Sequence, residues 1–205
     1  LRGFILKLQR AKNEDLIVKI LSENSIESYY RFYGARHSIL QLGYLIDFEE
    51  EKTLRNFMPN LRRVRHLSFN WLYAKERLIF WHQFIILLER HLRDARDISP
   101  FYFELLLESA KRLEKQNPKR VICESYYKIL KYEGRLHLLK NCYICEEPLG
   151  RDITLMRALI PACTKCLFGA TINKERLNSF ITSGKTIFLE DFEVDFLYSV
   201  ILKGF

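Results

Sequence analysis

A chain of 205 residues, 48% of them hydrophobic, has enough apolar material for two modest domains or one larger compact unit. Eight Gly and five Pro, with no repeat or low-complexity tract, exclude a largely disordered chain. The net charge of +8 favours an anionic partner without specifying a fold.

The start, Leu1-Arg2-Gly3-Phe4, has no long apolar stretch and no small-residue cleavage site, so no secretory signal is expected. Residues 1 to about 70 read as strands. Gly3 to Leu8 and Leu16 to Leu21 are short apolar-rich runs, and Lys12-Asn13-Glu14-Asp15 and Ser22-Glu23-Asn24-Ser25 are turn chemistry around the second. Ile26 to Tyr33 alternates: Ile26, Ser28, Tyr30 and Phe32 take one face, Glu27, Tyr29, Arg31 and Tyr33 the other. Leu40 to Phe48 and Leu61 to Phe69 complete five candidate strands, which suit a small closed barrel.

After Trp71 the period changes. Leu78, Trp81, Ile85, Leu88 and Leu92 recur at steps of three and four and share a helical face. The longest fully apolar run there, Phe84 to Leu88, is far too short to span a bilayer. Ser99-Pro100 predicts a helix start running to about Lys115, and Asn117-Pro118 predicts another that ends near Gly134. Asn173 to about Thr182 and Asp191 to about Lys203 also read as helices. In the last, Phe192, Phe196, Val200 and Lys203 fall near one stripe that needs a partner.

The cysteines spell Cys142-Tyr-Ile-Cys145 and, after seventeen residues, Cys163-Thr-Lys-Cys166. A two-residue spacer lets both thiolates of a knuckle face one point, and two knuckles supply four soft ligands for a tetrahedral Zn²⁺. With no free position for water, one structural zinc is expected, holding a loop-rich excursion that contains Pro148, Gly150 and Pro161. Paired disulfides and a redox Cys-X-X-Cys are the alternatives, and neither has the expected context here. Cys123 reads as a small buried hydrophobe.

From Arg55 to Arg96 there are nine cations against three acids, while acid gathers at Asp47 to Glu51 and Glu190 to Asp195. Tyr29, Arg31 and Tyr33 are expected to project from one side of a strand, with Arg36 and His37 following Gly34. Rings interleaved with cations on a barrel face are what single-strand binding needs. Arg62, Arg63 and Arg65 would add phosphate contacts. An ordinary half-exposed strand and a set of solvated charged faces are the plain alternatives.

Taken together the chain resembles the RecO family of bacterial recombination mediators. Glu14-Asp15-Leu16-Ile17-Val18 is similar to the family's acidic turn into its second strand, Gly34-Ala35-Arg36-His37 to its Gly-Ala-Arg-basic segment, and the cysteine pairs sit where many members carry zinc. The resemblance implies an α+β chain: an OB-fold barrel over residues 1–72, then a helical domain over 73–205 with a zinc module at 141–168. It implies binding to single- and double-stranded DNA, strand annealing, and partnership with RecR and single-stranded DNA-binding protein to assist RecA, in the cytoplasm at the nucleoid. Arg36 and His37 are the DNA contacts it carries over. The basic loop that usually follows contracts here to Ser38-Ile39-Leu40-Gln41. No Gly-rich phosphate loop, His-Glu-X-X-His or paired-carboxylate site is present, so a non-enzymatic role is expected. The alternative function is a zinc-containing scaffold or general nucleic-acid binder acting mainly through protein partners.

Overall fold

The computed structural model describes residues 1–36, 38–52 and 58–205. The chain forms two compact units, Leu1–Lys115 and Gln116–Phe205.

Five strands open the first unit: β1 (Arg2–Arg10), β2 (Leu16–Leu21), β3 (Ile26–Arg31), β4 (Leu45–Glu51) and β5 (Asn60–His66). They close into a barrel in the order β1-β2-β3-β5-β4. All pairings are antiparallel except β3 with β5, which meet in parallel at Tyr30 and Asn60. That is the connectivity of an OB-fold.

Alternation decides the interior. Leu16, Val18 and Ile20 of β2 point inward and join Ile5, Tyr29, Leu40, Ile46, Phe48 and Leu61 in one cluster. β1 departs from alternation because it is covered on both sides. Ile5 faces the barrel interior, while Phe4 packs against Trp81 and Phe103 at ring separations of 5.9 and 5.7 Å. Those rings belong to helices α1 (Lys75–His91) and α2 (Phe101–Arg112). The last barrel strand ends at His66, and the compact unit runs on past the expected boundary at residue 72 to Lys115.

Several expected strands begin or end elsewhere: β1 runs on to Arg10, β5 stops at His66 and not at Phe69, and the third and fourth differ most. The fourth starts at Leu45, not Leu40, because Gly43 makes a left-handed turn at φ +76°. Its carbonyl accepts the Trp81 indole N–H at 2.9 Å, and a Cβ there would lie 2.4 Å from that nitrogen, so only glycine fits. Leu40 instead sinks into the barrel cluster, with Ile39 packed beside it. Leu40 thus fills part of the barrel interior. The third strand stops at Arg31, where Phe32 and Tyr33 turn away.

The second unit holds α3 (Pro118–Tyr132), a small sheet in the order β7-β6-β8, α4 (Lys174–Ser183) and α5 (Asp191–Ile201). Its strands are β6 (Asp152–Leu155), β7 (Pro161–Cys163) and β8 (Ile172–Asn173). The Asn117 carboxamide accepts from the Lys119 and Arg120 N–H groups, and Asn173 caps α4 in the same way. Glu190 and Glu193 form a capping box on α5, and the buried Glu193 carboxylate also accepts the Asn173 N–H at 3.1 Å.

α5 packs on α3, and its buried apolar residues are Val194, Leu197, Tyr198, Val200 and Ile201. The stripe expected to begin at Phe192 is rotated, and Phe192 lies exposed. Glu193 takes the inward place because the capping box and the Asn173 N–H satisfy its charge. Cys123 is fully buried, and its thiol is pushed up from its ordinary range chiefly by desolvation. Among the described residues no helix is long and apolar enough to cross a membrane.

Candidate nucleic-acid interface and metal centre

The cysteine knuckles are built by backbone turns. Glu146 N–H donates to the Cys142 carbonyl at 2.9 Å with Glu146 itself at φ +63°, and Cys166 N–H donates to the Cys163 carbonyl at 3.1 Å. Tyr143 N–H reaches the Pro161 carbonyl at 3.0 Å and joins the two knuckles. The ligand atoms of Cys142, Cys145, Cys163 and Cys166 all lie within 4.8 Å of one another.

Four thiolates at about 2.3 Å from a tetrahedral ion would stand about 3.8 Å apart. The Cys145 and Cys163 sulfurs are 3.8 Å apart, so the donor set fits such an ion. Cys142 is the buried member and accepts N–H donors from Ile144 at 3.4 Å and Cys163 at 3.3 Å. Desolvation works against its thiolate, yet those backbone N–H groups prevail and lower its pKa to about 6. That favours the ligating form of Cys142, and the Cys163 pKa is lowered too, while those of Cys145 and Cys166 are raised. The four expected ligands are together, and they can hold one metal ion.

On the barrel the expected aromatic row divides. Cα pairing of Val18 with Tyr29 and of Leu16 with Arg31 puts both β3 residues on the inward row. Tyr29 is 2% exposed, meets Phe48 edge-on at 5.2 Å and donates its hydroxyl to Glu27 Oε2 at 3.3 Å. Arg31 is half-buried and donates to the Leu61 carbonyl at 2.8 Å. Tyr29 is therefore a core residue, and the outward orientation expected of it is corrected. Alternation sorts a strand into two rows; which row is inward is set by β2, whose apolar row is unambiguous.

Tyr33, beyond the end of β3, is exposed as expected, and the structure adds Phe32 and Tyr30 beside it. Asp15, buried in the β1–β2 turn, fixes this group. Its Oδ2 accepts the Tyr30 hydroxyl at 2.5 Å and its Oδ1 accepts the Tyr33 N–H at 2.7 Å. That hydrogen bond also raises the Tyr30 hydroxyl pKa. The Arg36 guanidinium lies 5.1 Å from the Tyr33 ring centroid, and the Arg62 guanidinium 6.0 Å from that of Phe32. Both are within cation–π range. Arg36 is also ion-paired with Glu14. His37 lies outside the described residues, as does Arg55. Phe32 was hidden in the sequence because the alternation ends with the strand at Arg31.

Arg62, Arg63 and Arg65 come to one outer surface through a β-bulge. The β4–β5 register shifts between Asp47 and Glu49, and Arg63 sits at φ +44°. Each arginine then meets an acid of β4: Arg62 with Glu51 at 2.9 Å, Arg63 with Glu49 at 3.1 Å and Arg65 with Asp47 at 2.8 Å. The cations read as a basic span and the acids read as a separate cluster are neighbours in the sheet.

Residues 1–72 match the family model described as RecO N terminal. No curated protein matches the chain. The match covers the barrel-bearing start of the chain, and the likeness to the RecO N-terminal domain is carried by those residues.

Proposed function

We propose that the chain is a RecO-type mediator that binds DNA without covalent chemistry, through the outer surface at the end of β3. The observation that carries this is the exposed pair Phe32 and Tyr33, each with a guanidinium against its ring, on an OB-fold barrel. Rings of this kind stack on unpaired bases while cations meet phosphates. Arg36 and Arg62 serve both purposes, and Arg63 and Arg65 extend the phosphate contacts; His37 and the half-buried Arg31 complete the proposed set. Tyr29 supports this surface from within the barrel.

In this role the protein binds single- and double-stranded DNA, anneals complementary strands, and with RecR and single-stranded DNA-binding protein assists RecA loading in the cytoplasm. The four thiolates hold one structural Zn²⁺, the ion that soft tetrahedral sulfur donors suit. Boundaries at residues 72 and 141–168 delimit the DNA-binding barrel and the zinc module.

Titration of labelled oligo-dT at increasing salt tests the proposal. Replacing Phe32 and Tyr33 together by Ala removes about 1–3 kcal/mol of stacking per base contacted. Undiminished binding by that double variant would overturn the assignment of this surface. A second reading has its own observation: Tyr143, Ile144, Phe168, Ile187 and Phe192 are exposed apolar side chains in the second unit. They suit a scaffold that binds protein partners. Partner binding retained by a chain that binds no DNA at low salt would favour it.

A further inference from the structure

We propose that Asp47, Glu49 and Glu51 determine the specificity of the barrel, as an internal competitor standing where successive phosphates of a bound strand would meet Arg65, Arg63 and Arg62. The inference rests on the DNA-binding role proposed above and says how that surface selects its ligand.

The acids occupy alternate positions of β4, so they project to one face at intervals of about 7 Å. A regular partner strand could not match them with these arginines, because adjacent Arg62 and Arg63 would point to opposite faces. The bulge removes that obstacle. At Arg63 the chain adopts a left-handed φ of +44°, a conformation for which glycine is the default, and there it holds an arginine. Three guanidinium groups and three carboxylates thereby face each other in order, at 2.8 to 3.1 Å.

The pairs are built to exchange. All three arginines are exposed, with side-chain accessibilities of 46%, 80% and 74% for Arg62, Arg63 and Arg65. Exposed ion pairs are individually weak and yield to competing anions. An isolated phosphate can displace one carboxylate only. A strand of phosphates displaces the whole row at once and gains the advantage of linked contacts. The face therefore selects long polyanions over scattered ones, and its affinity is set below what the arginines alone would give. Hydrogen bonds from Arg62 and Asn60 hold the Glu51 carboxyl below its ordinary range, so this competitor stays charged at neutral pH.

The experiment uses the full chain and the isosteric variant Asp47→Asn/Glu49→Gln/Glu51→Gln. Oligo-dT affinity is measured against salt concentration for this variant and for the parent. It is measured again for both with Arg62, Arg63 and Arg65 changed to Gln, and melting curves confirm that each remains folded. Neutralising the acids should tighten binding at least about tenfold and steepen the log–log salt dependence by about 2, the value for three phosphates on a single strand. Removing the arginines should then cost more affinity in the acid-neutral background than in the parent. Equal costs in the two backgrounds would mean that only overall charge had changed, and would overturn the proposal. A parent that binds no oligo-dT while the acid-neutral chain binds would overturn the DNA-binding role and, with it, the acids as selectors of a natural ligand. Failure of both at low salt would remove the DNA-binding role and this inference with it.

Discussion

In the barrel, side chains from five strands converge on a shared interior, whereas most residues from Asn141 to Gly150 in the first cysteine knuckle are exposed and only Cys142 and Leu149 are buried there. The first region is ordered by apolar area removed from water, and sequence alternation encodes it strand by strand. The second buries little, and its four thiols stand where an ion could tie them together. Different perturbations should therefore disorder the two regions.

Metal removal should have the largest effect. Chelation, or Cys142→Ser, should abolish amide-exchange protection in the first knuckle, Asn141 to Gly150, because structural zinc contributes about 10–16 kcal/mol in small zinc modules. Protection in β1–β5 should persist. Loss of barrel protection on chelation would show that the two regions are not ordered independently.

Trp81→Ala is the complementary cut. It deletes a fully buried ring that meets Phe4 and removes the donor to the Gly43 carbonyl. Denaturant unfolding should show a loss of about 3–5 kcal/mol, with metal content unchanged. Gly43→Ala comes next, at about 1–3 kcal/mol in the same measurement, since it combines a left-handed φ with a close approach to the indole. Unchanged stability in the Gly43→Ala variant would mean that the turn is not held as described.

The smallest effect sharpens the functional side. Tyr29→Phe removes one hydroxyl from a ring inside the barrel and should change oligo-dT affinity by less than about twofold, whereas Tyr33→Ala should weaken it by at least about fivefold. Equal losses from the two would mean that the inward row takes part in binding.

The two regions were also unequally legible in the sequence. The cysteine spacing carries the ligand set almost unaided, because a two-residue spacer constrains geometry locally and few chemistries share it. The barrel's strands were readable from apolar runs and turn residues, but the orientation of β3 was not. Glu27 and Arg31 made its inward row look wet, and only the pairing with β2 reveals that Tyr29 faces Phe48. The arginine–carboxylate ladder was still less accessible. It joins residues 11 to 18 positions apart on neighbouring strands, in a register set by a bulge that no glycine announces. Local chemistry reads well from a chain; cross-strand chemistry waits for the register.

Asp15 has a consequence in time. By holding the Tyr30 hydroxyl and the Tyr33 amide on a single carboxylate, it fixes the backbone that carries the rings proposed to stack before any ligand arrives. A surface already in its final arrangement loses little further freedom on encounter, so capture should proceed near the rate of collision and orientation, without a slow rearrangement step. Residence on the strand, and not arrival, is then where this protein would tune its grip.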